Sequence, residues 1–214
     1  YRTSGDSPIV GALIRAAELL LHERAPRLLP ERTRRATLLS HSATDEILNP
    51  SAHRIGVVGY DTPDCHVLSN SHLNVMVSGA GTGYITWNGL AVTRWEADAT
   101  LDSLGSFIYL RDCASGGTWS VGQQPTRAPS DAYECIFSEE RVRISRRDGT
   151  LQSSLDIVVS PEDDAIGRRL TLKNIGRTAR QIDVTTYDEL VLGDRKSDGS
   201  HPAFSKLFVE TAFD

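Results

Sequence analysis

Between Gly81 and Asp112 the sequence sets Tyr84, Trp87, Trp95 and Tyr109 among Arg94, Glu96, Asp98, Asp102, Arg111 and Asp112. Aromatic faces are flat apolar platforms, and carboxylates and guanidinium forks make directed hydrogen bonds. Together they suit a ligand with polar groups and apolar faces, such as a sugar ring. The same composition also suits plain strands whose charges face water and whose aromatics face a core, with Arg94 and Arg111 simply pairing with Glu96 and Asp112 across neighbouring strands. The candidate binding residues are Arg94, Trp95, Glu96, Asp98, Asp102 and Arg111. Trp87, Trp95 and Trp119 are the candidate platforms, with Trp95 preferred because it lies between Arg94 and Glu96. Side chains alternate along a strand. Either Trp95 or the set Arg94, Glu96 and Asp98 therefore faces the ligand, and both arrangements stay open.

Other chemistries find less support. Glu96 and Asp98 on one strand face would stand about 7 Å apart, within the range of paired glycosidase carboxylates. Acids two residues apart on a strand are common, however, and autonomous hydrolysis is not expected. Glu162-Asp163-Asp164, and Asp98 with Asp102, offer oxygen ligands without the ligand spacing of a calcium loop. A solvated turn is the expectation for Glu162–Asp164. Ser120 and Ser160 lie near no His-bearing motif, so a nucleophilic triad is not indicated. The six histidines are scattered, and His201 precedes Pro202 in a Gly/Ser-rich turn. No metal or cofactor is expected, and no catalytic residue is assigned.

The chain has 214 residues and a net charge of −5, which gives no case for nucleic acid as a partner. Arg24–Arg35 is rich in Arg, but Pro26 and Pro30 interrupt it, so it reads as a solvated linker. The densest apolar run, Ala16–Leu21, falls far short of the roughly 20 residues that span a bilayer. Cys65, Cys113 and Cys135 lack metal-ligand spacing. Their odd count argues for reduced thiols and a cytoplasmic-facing domain. Cys135, in the apolar run YECIF, reads as a small core residue.

These residues must be positioned by a mostly β scaffold. Pro8–Ala25 is the one expected helix, with Ser7 as cap, Pro8 in its first turn, and Ile9, Leu13, Ala16, Ala17, Leu20 and Leu21 at helical spacing. It defines a segment 1–27, followed by a linker over 28–53 rich in Arg, Ser, Thr and Pro. From 54 to 214 the pattern is β. Strands are expected over Arg54–Gly59, Asn74–Ser78, Tyr84–Trp87, Ala91–Trp95, Ser106–Arg111, Tyr133–Phe137, Arg141–Arg146, Leu151–Val159, Gly167–Lys173 and Arg180–Tyr187, with Lys206–Phe213 closing. Val142–Ser145, Leu170–Lys173 and Ile182–Thr185 alternate, as half-buried strands do. Arg147–Thr150 is a hairpin signal, because Asp-Gly supports positive φ, and Asn174–Arg177 is a second. So many short strands without intervening helices imply an antiparallel sandwich. A last strand with no closing turn, and a first residue Tyr1 in place of Met, suggest a piece of a longer polypeptide.

Several stretches then resemble a known family. Ala17–Pro26, AELLLHERAP, is similar to the ELLLQERxPR segment of cyclic β-1,2-glucan synthases. His66–Asn70 resembles their HLLSNG element, and AVTRWEADATLDSLGSFIYLRD (Ala91–Asp112) resembles AVTRWREDATxDxWGxYIYLRD. Trp119-Ser120 with Gln124-Pro125, Val159–Asp164, Tyr187–Leu192 and His201–Val209 match further motifs. The broader relatives are the family-94 glycoside phosphorylases, formerly glycosyltransferase family 36. The resemblance implies a galactose-mutarotase-like β-super-sandwich, here partial, that precedes a helical linker and an (α/α)6 catalytic barrel. It further implies an accessory domain, inactive by itself, within a transferase or phosphorylase that handles a β-glucan or oligosaccharide. Partners would be the barrel of the parent chain and, through dimerisation, a second copy; the parent enzyme would be attached to the inner membrane. A loop reaching the sugar site maps to Thr93–Asp112. The sequence departs from the pattern at Glu96-Ala97, at Leu104 where Trp is common, and at Ser71 where Gly follows HLLSN. A self-sufficient β-glucan-binding module is the alternative reading.

Overall fold

The computed structural model describes residues 52–55, 64–94, 96 and 104–212. The expected helix Pro8–Ala25 and most of the linker 28–53 lie outside them, as do Trp95, Asp98 and Asp102.

The described residues form three antiparallel sheets. The first has five strands in the order β1 (His53–Ile55), β8 (Ala132–Ser138), β9 (Arg141–Asp148), β10 (Leu151–Val159) and β11 (Ile166–Asn174). The second joins β12 (Ile182–Asp188), β6 (Ser106–Asp112) and β7 (Thr118–Ser120). The third runs β13 (Leu190–Gly193), β5 (Leu90–Thr93), β4 (Gly83–Trp87), β3 (Leu73–Ser78) and β2 (Cys65–Ser69). Two short helices, α1 (Arg195–Ser200) and α2 (Pro202–Lys206), follow β13.

Alternation along the strands builds the core. Val75, Val77 and Ile85 of the third sheet cluster with Leu110 of the second and with Val142, Ile144, Leu155 and Ile157 of the first. Leu110, Val142 and Cys135 are fully enclosed. Burial raises the Cys135 thiol pKa to about 12, so it packs as a small apolar residue. All three cysteines are free thiols.

Turn chemistry sets the registers. Asp148 pairs with Leu151, which leaves Gly149 and Thr150 as a two-residue loop, with Gly149 at φ +62. The Asp-Gly hairpin is therefore where the sequence placed it. Asn88 (φ +47) and Gly89 (φ +83) make an equivalent loop between Trp87 and Leu90.

Four expectations need correction. Lys206–Phe213 is not a closing strand: Lys206 ends α2, and no strand follows through residue 212. Asn174–Arg177 is a turn but not a hairpin, because β11 and β12 belong to different sheets. Asn174 holds this turn by accepting from Gly176 N at 2.9 Å and donating to Thr178 O at 2.7 Å, and Gly176 has no positive φ. In β12, Val184 is 49% exposed; it lies on the outermost strand of a three-stranded sheet, so alternation there does not bury one side. In β9 the wet face ends early, with Ser145 only 3% exposed, and the inward face that Val142 and Ile144 begin continues to Arg146. Arg146 is 1% exposed because the segment after β7 folds over it, and its guanidinium donates to Gly122 O at 3.2 Å and Ala128 O at 2.9 Å.

Candidate functional site

The connection from β5 to β6 is the stretch the sequence marks for ligand contact, and its root is well defined. Thr93 ends β5 buried, its Oγ1 accepting from Ile85 N at 2.9 Å. Arg94 N then donates to Glu189 O at 2.8 Å. The Arg94 guanidinium donates to Asp198 Oδ2 through Nε at 2.6 Å, to Asp198 Oδ1 through Nη2, and to Glu189 Oε1 through Nη1 at 3.1 Å. This is a two-pronged clamp of the kind a planar fork makes with a carboxylate. Both sides are largely buried, with 11% of the Arg94 side chain and 8% of Asp198 exposed.

The local sequence explains why Asp198 is available. Asp194 caps α1, accepting from Ser197 N at 3.0 Å, so the single turn that follows aims Asp198 inward. Glu189 is shared: Lys206 Nζ of α2 stands 2.6 Å from Oε1, and the Tyr187 hydroxyl donates to Oε2. Hydrogen bonds from Lys206 and then Tyr187 hold the Glu189 carboxyl below its ordinary range despite partial burial. The hydrogen bond to Asp198 raises Arg94 further, against the opposing effect of burial. The Tyr187 hydroxyl is raised chiefly by donating to Glu189.

A cavity of ≈ 100 Å³ adjoins this clamp, lined in part by Tyr84, Thr93, Arg94, Glu96 and Arg195. The Arg195 guanidinium lies 5.5 Å from the centre of the Tyr84 ring, a cation–π contact. The cavity has room for a few waters. Glu96 is exposed at its rim. The other end of the connection is set by Gly105, at φ +145, whose missing Cβ would stand 3.1 Å from the backbone of Gly83. Glycine at both positions lets the chain enter β6 against the start of β4.

The structure thus brings Arg94 and Glu96 together but separates Arg111 from them. Ser106, where the connection enters β6, and Arg111 are five residues apart on that strand, about 17 Å. Arg111 is exposed, opposite Asp183 of β12 and Thr118 of β7. Nor do Arg94 and Arg111 pair with Glu96 and Asp112, the purely structural expectation. Asp112 turns inward, on the opposite strand face from Arg111, and meets Arg180 at 2.6 Å. That contact holds the Asp112 carboxyl below its ordinary value.

Of the three tryptophans, Trp119 is buried at 7% exposed, and Trp87 is 42% exposed at the end of β4. Residues not singled out from sequence complete the picture: Asp198, Glu189 and Lys206 at the clamp, and His72 beside Trp87, where Asp164 of the acidic turn also meets the indole. The only sequence signal for the clamp is the capping pattern Asp194-x-x-Ser197. Among the described residues no group of three or more His, Cys, Asp or Glu could hold a metal ion, and no helix is long and apolar enough to cross a membrane.

Comparison with known proteins gives a family match over residues 55–214 to the glycosyl hydrolase 94 supersandwich domain. The chain is 39% identical over 201 residues to the cyclic beta-(1,2)-glucan synthase NdvB of Rhizobium meliloti (strain 1021), covering 93% of this chain and 7% of that protein. It is 32% identical over 108 residues to a 3-O-beta-D-glucopyranosyl-beta-D-glucuronide phosphorylase of Paenibacillus borealis, covering 50% of this chain and 14% of the enzyme. It is 24% identical over 156 residues to an N,N'-diacetylchitobiose phosphorylase of Vibrio proteolyticus, covering 71% and 20%. The chain therefore spans a small part of each relative's length.

Proposed function

Because the chain belongs to the glycosyl hydrolase 94 supersandwich family, we propose that it is the accessory sandwich of a large β-glucan-processing enzyme and holds one substrate-facing connection against a catalytic barrel. The observation that carries this reading is the Arg94 clamp. A buried fork locks the first residue of the connection to α1 and to the end of β12, and Gly105 against Gly83 fixes its return. A connection tied at both ends to a rigid sheet is a scaffold for presenting side chains. Glu96 lies at the cavity rim, and Trp95, Asp98 and Asp102 are proposed from the sequence alone as further ligand contacts of this connection. Arg94 positions them and does not itself bind sugar, since its donors already serve Asp198 and Glu189.

The substrate class of the proposal, a β-linked glucan, is taken from the name of the relative that covers most of the chain, the cyclic beta-(1,2)-glucan synthase; the two phosphorylases are named for other saccharides. The chain alone carries no acid for glycoside cleavage in this reading, and purified chain given β-glucan and phosphate should release no glucose 1-phosphate. The direct test replaces residues 95–103 in the parent enzyme with a Gly/Ser segment of equal length. Turnover should fall while the melting temperature holds. Unchanged turnover would remove the substrate-facing role.

A further inference from the structure

The geometry points to a second sugar-binding surface at the opposite end of the third sheet, where Trp87 is the stacking platform and Asp164 and His72 are its polar partners. Trp87 pairs with Leu90 across the Asn88-Gly89 turn. Arg94 lies four residues beyond Leu90, about 14 Å away along the strand. The surface is thus separate from the connection discussed above, and the glucan named as its ligand rests on the proposed function.

Trp87 is not merely an exposed apolar residue. Its indole Nε1 donates to Asp164 Oδ2 at 2.6 Å, and His72 Nδ1 lies 3.6 Å from Asp164 Oδ1. The indole is thereby fixed by its edge. With 42% of the residue exposed, roughly 100 Å² of a ring-sized surface stays open. Asp164 is itself held. Asn70 Nδ2 donates to Ser160 O at 3.0 Å and to Asp163 O at 2.9 Å, and Asp163 N donates to Ser160 Oγ at 3.1 Å. The β2–β3 turn, which carries His72, and the β10–β11 loop, which carries Asp164, are joined by these bonds.

This combination matches a pyranose ring. The C–H face of a β-glucosyl unit is apolar and flat enough to lie on an indole. Its hydroxyls lie around the ring edge, where the half-exposed Asp164 carboxylate can accept and the 66%-exposed His72 imidazole can donate or accept. A platform whose rotamer is locked before binding loses little side-chain entropy on binding. A charge-only ligand would have no use for the indole, and a purely apolar one would strand the carboxylate.

The test is a titration of the full 214-residue chain with linear β-1,2-linked gluco-oligosaccharides, followed by tryptophan fluorescence and calorimetry. Saturable binding in the millimolar range or tighter is expected. Trp87→Ala should weaken it roughly tenfold, Trp87→Tyr by less, and Asp164→Ala by an amount near that of Trp87→Ala. Circular dichroism should confirm that each variant is folded, and Trp87→Tyr keeps the test informative if Trp87→Ala is not. No saturation by the unaltered chain, or equal affinity for Trp87→Ala, overturns the proposal. So does a change in sedimentation on Trp87→Ala without sugar binding, which assigns this face to a second copy. Trp87-dependent binding of cello- or malto-oligosaccharides with none of the β-1,2 series would keep the site and overturn the glucan assignment instead.

Discussion

Arg94→Ala is the perturbation that separates anchoring from ligand binding most sharply. The change removes the two-pronged contact with Asp198, the 3.1 Å bond to Glu189, and a longer 3.4 Å bond to Pro202 O. Breaking a buried ion pair by deleting one partner costs about 3–5 kcal/mol. Here the pair sits near the surface, and Lys206 remains on Glu189 at 2.6 Å. A lower figure of about 2–3 kcal/mol is therefore expected. For a domain of this size each kcal/mol moves the melting temperature by about 2–4 °C, so the fall should be about 4–12 °C. Arg94→Lys keeps the charge but loses the fork, and should fall about half as far. Lys206→Ala, whose side chain is 54% exposed, should cost under about 1 kcal/mol. Differential scanning calorimetry of the four proteins reads all of this. A melting temperature within 1 °C (on the order of experimental error) for Arg94→Ala, together with lost turnover in the parent enzyme, would refute the anchoring argument and return Arg94 to the substrate.

Two further predictions follow from the same structure. Hydrogen bonds from Lys206 and Tyr187 lower the Glu189 carboxyl; burial raises Asp156, but the hydrogen bonds from Arg143 and Arg169 and the charges of Arg143 and Arg141 together outweigh it and lower that carboxyl as well. Carboxyls lowered on folding stabilise above their ordinary values of 4.5 and 3.8, and that contribution is lost as pH falls through the folded values. The urea midpoint should drop steeply between pH 5 and pH 3 (roughly the range spanning those values), and Asp156→Asn should flatten the slope; an unchanged midpoint would count against it. Gly83→Ala would place a Cβ 1.9 Å from Met76 O in the β3–β4 ladder, so a loss of at least about 3 kcal/mol is expected. Gly89→Ala, at φ +83 with open space around it, should cost only about 1 kcal/mol, and equal losses in denaturant titrations would contradict this reading.

Strands were legible where both periodicity and turn chemistry were local. β9, β10 and their Asp148-Gly149 turn needed nothing from the rest of the chain, and Cys135 declared itself by its apolar neighbours. β2, β7 and β13 were missed because Cys65–Ser69, Thr118–Ser120 and Leu190–Gly193 are short, and only their partners make them strands. The apparent closing strand Lys206–Phe213 failed for the complementary reason. Among the described residues Leu207, Phe208 and Val209 belong to no strand, and the Pro202 start favours a helical turn. Ser71 shows a third kind of information. It stands where the related pattern has glycine, and it adopts φ +81, the conformation glycine takes without cost.

The site was less legible, for a reason that the Arg94 clamp makes concrete. Its partners lie about a hundred residues further along the chain, at Glu189 and Asp198. Sequence proximity suggested Glu96 and Asp112, because charges close in sequence look like pairs. Strand alternation forbids the second of these by turning Arg111 outward and Asp112 inward. The residues nearest a ligand candidate in sequence are thus poor guides to what holds it. The better guide is a local device with no other purpose. Asp194-x-x-Ser197 caps a helix only six residues long, too short to form for its own sake. Its one buried residue is the Asp198 carboxylate. A helix of that length, capped and carrying a buried acid, exists to deliver the acid, and the arginine it meets lies at the root of the connection to be presented.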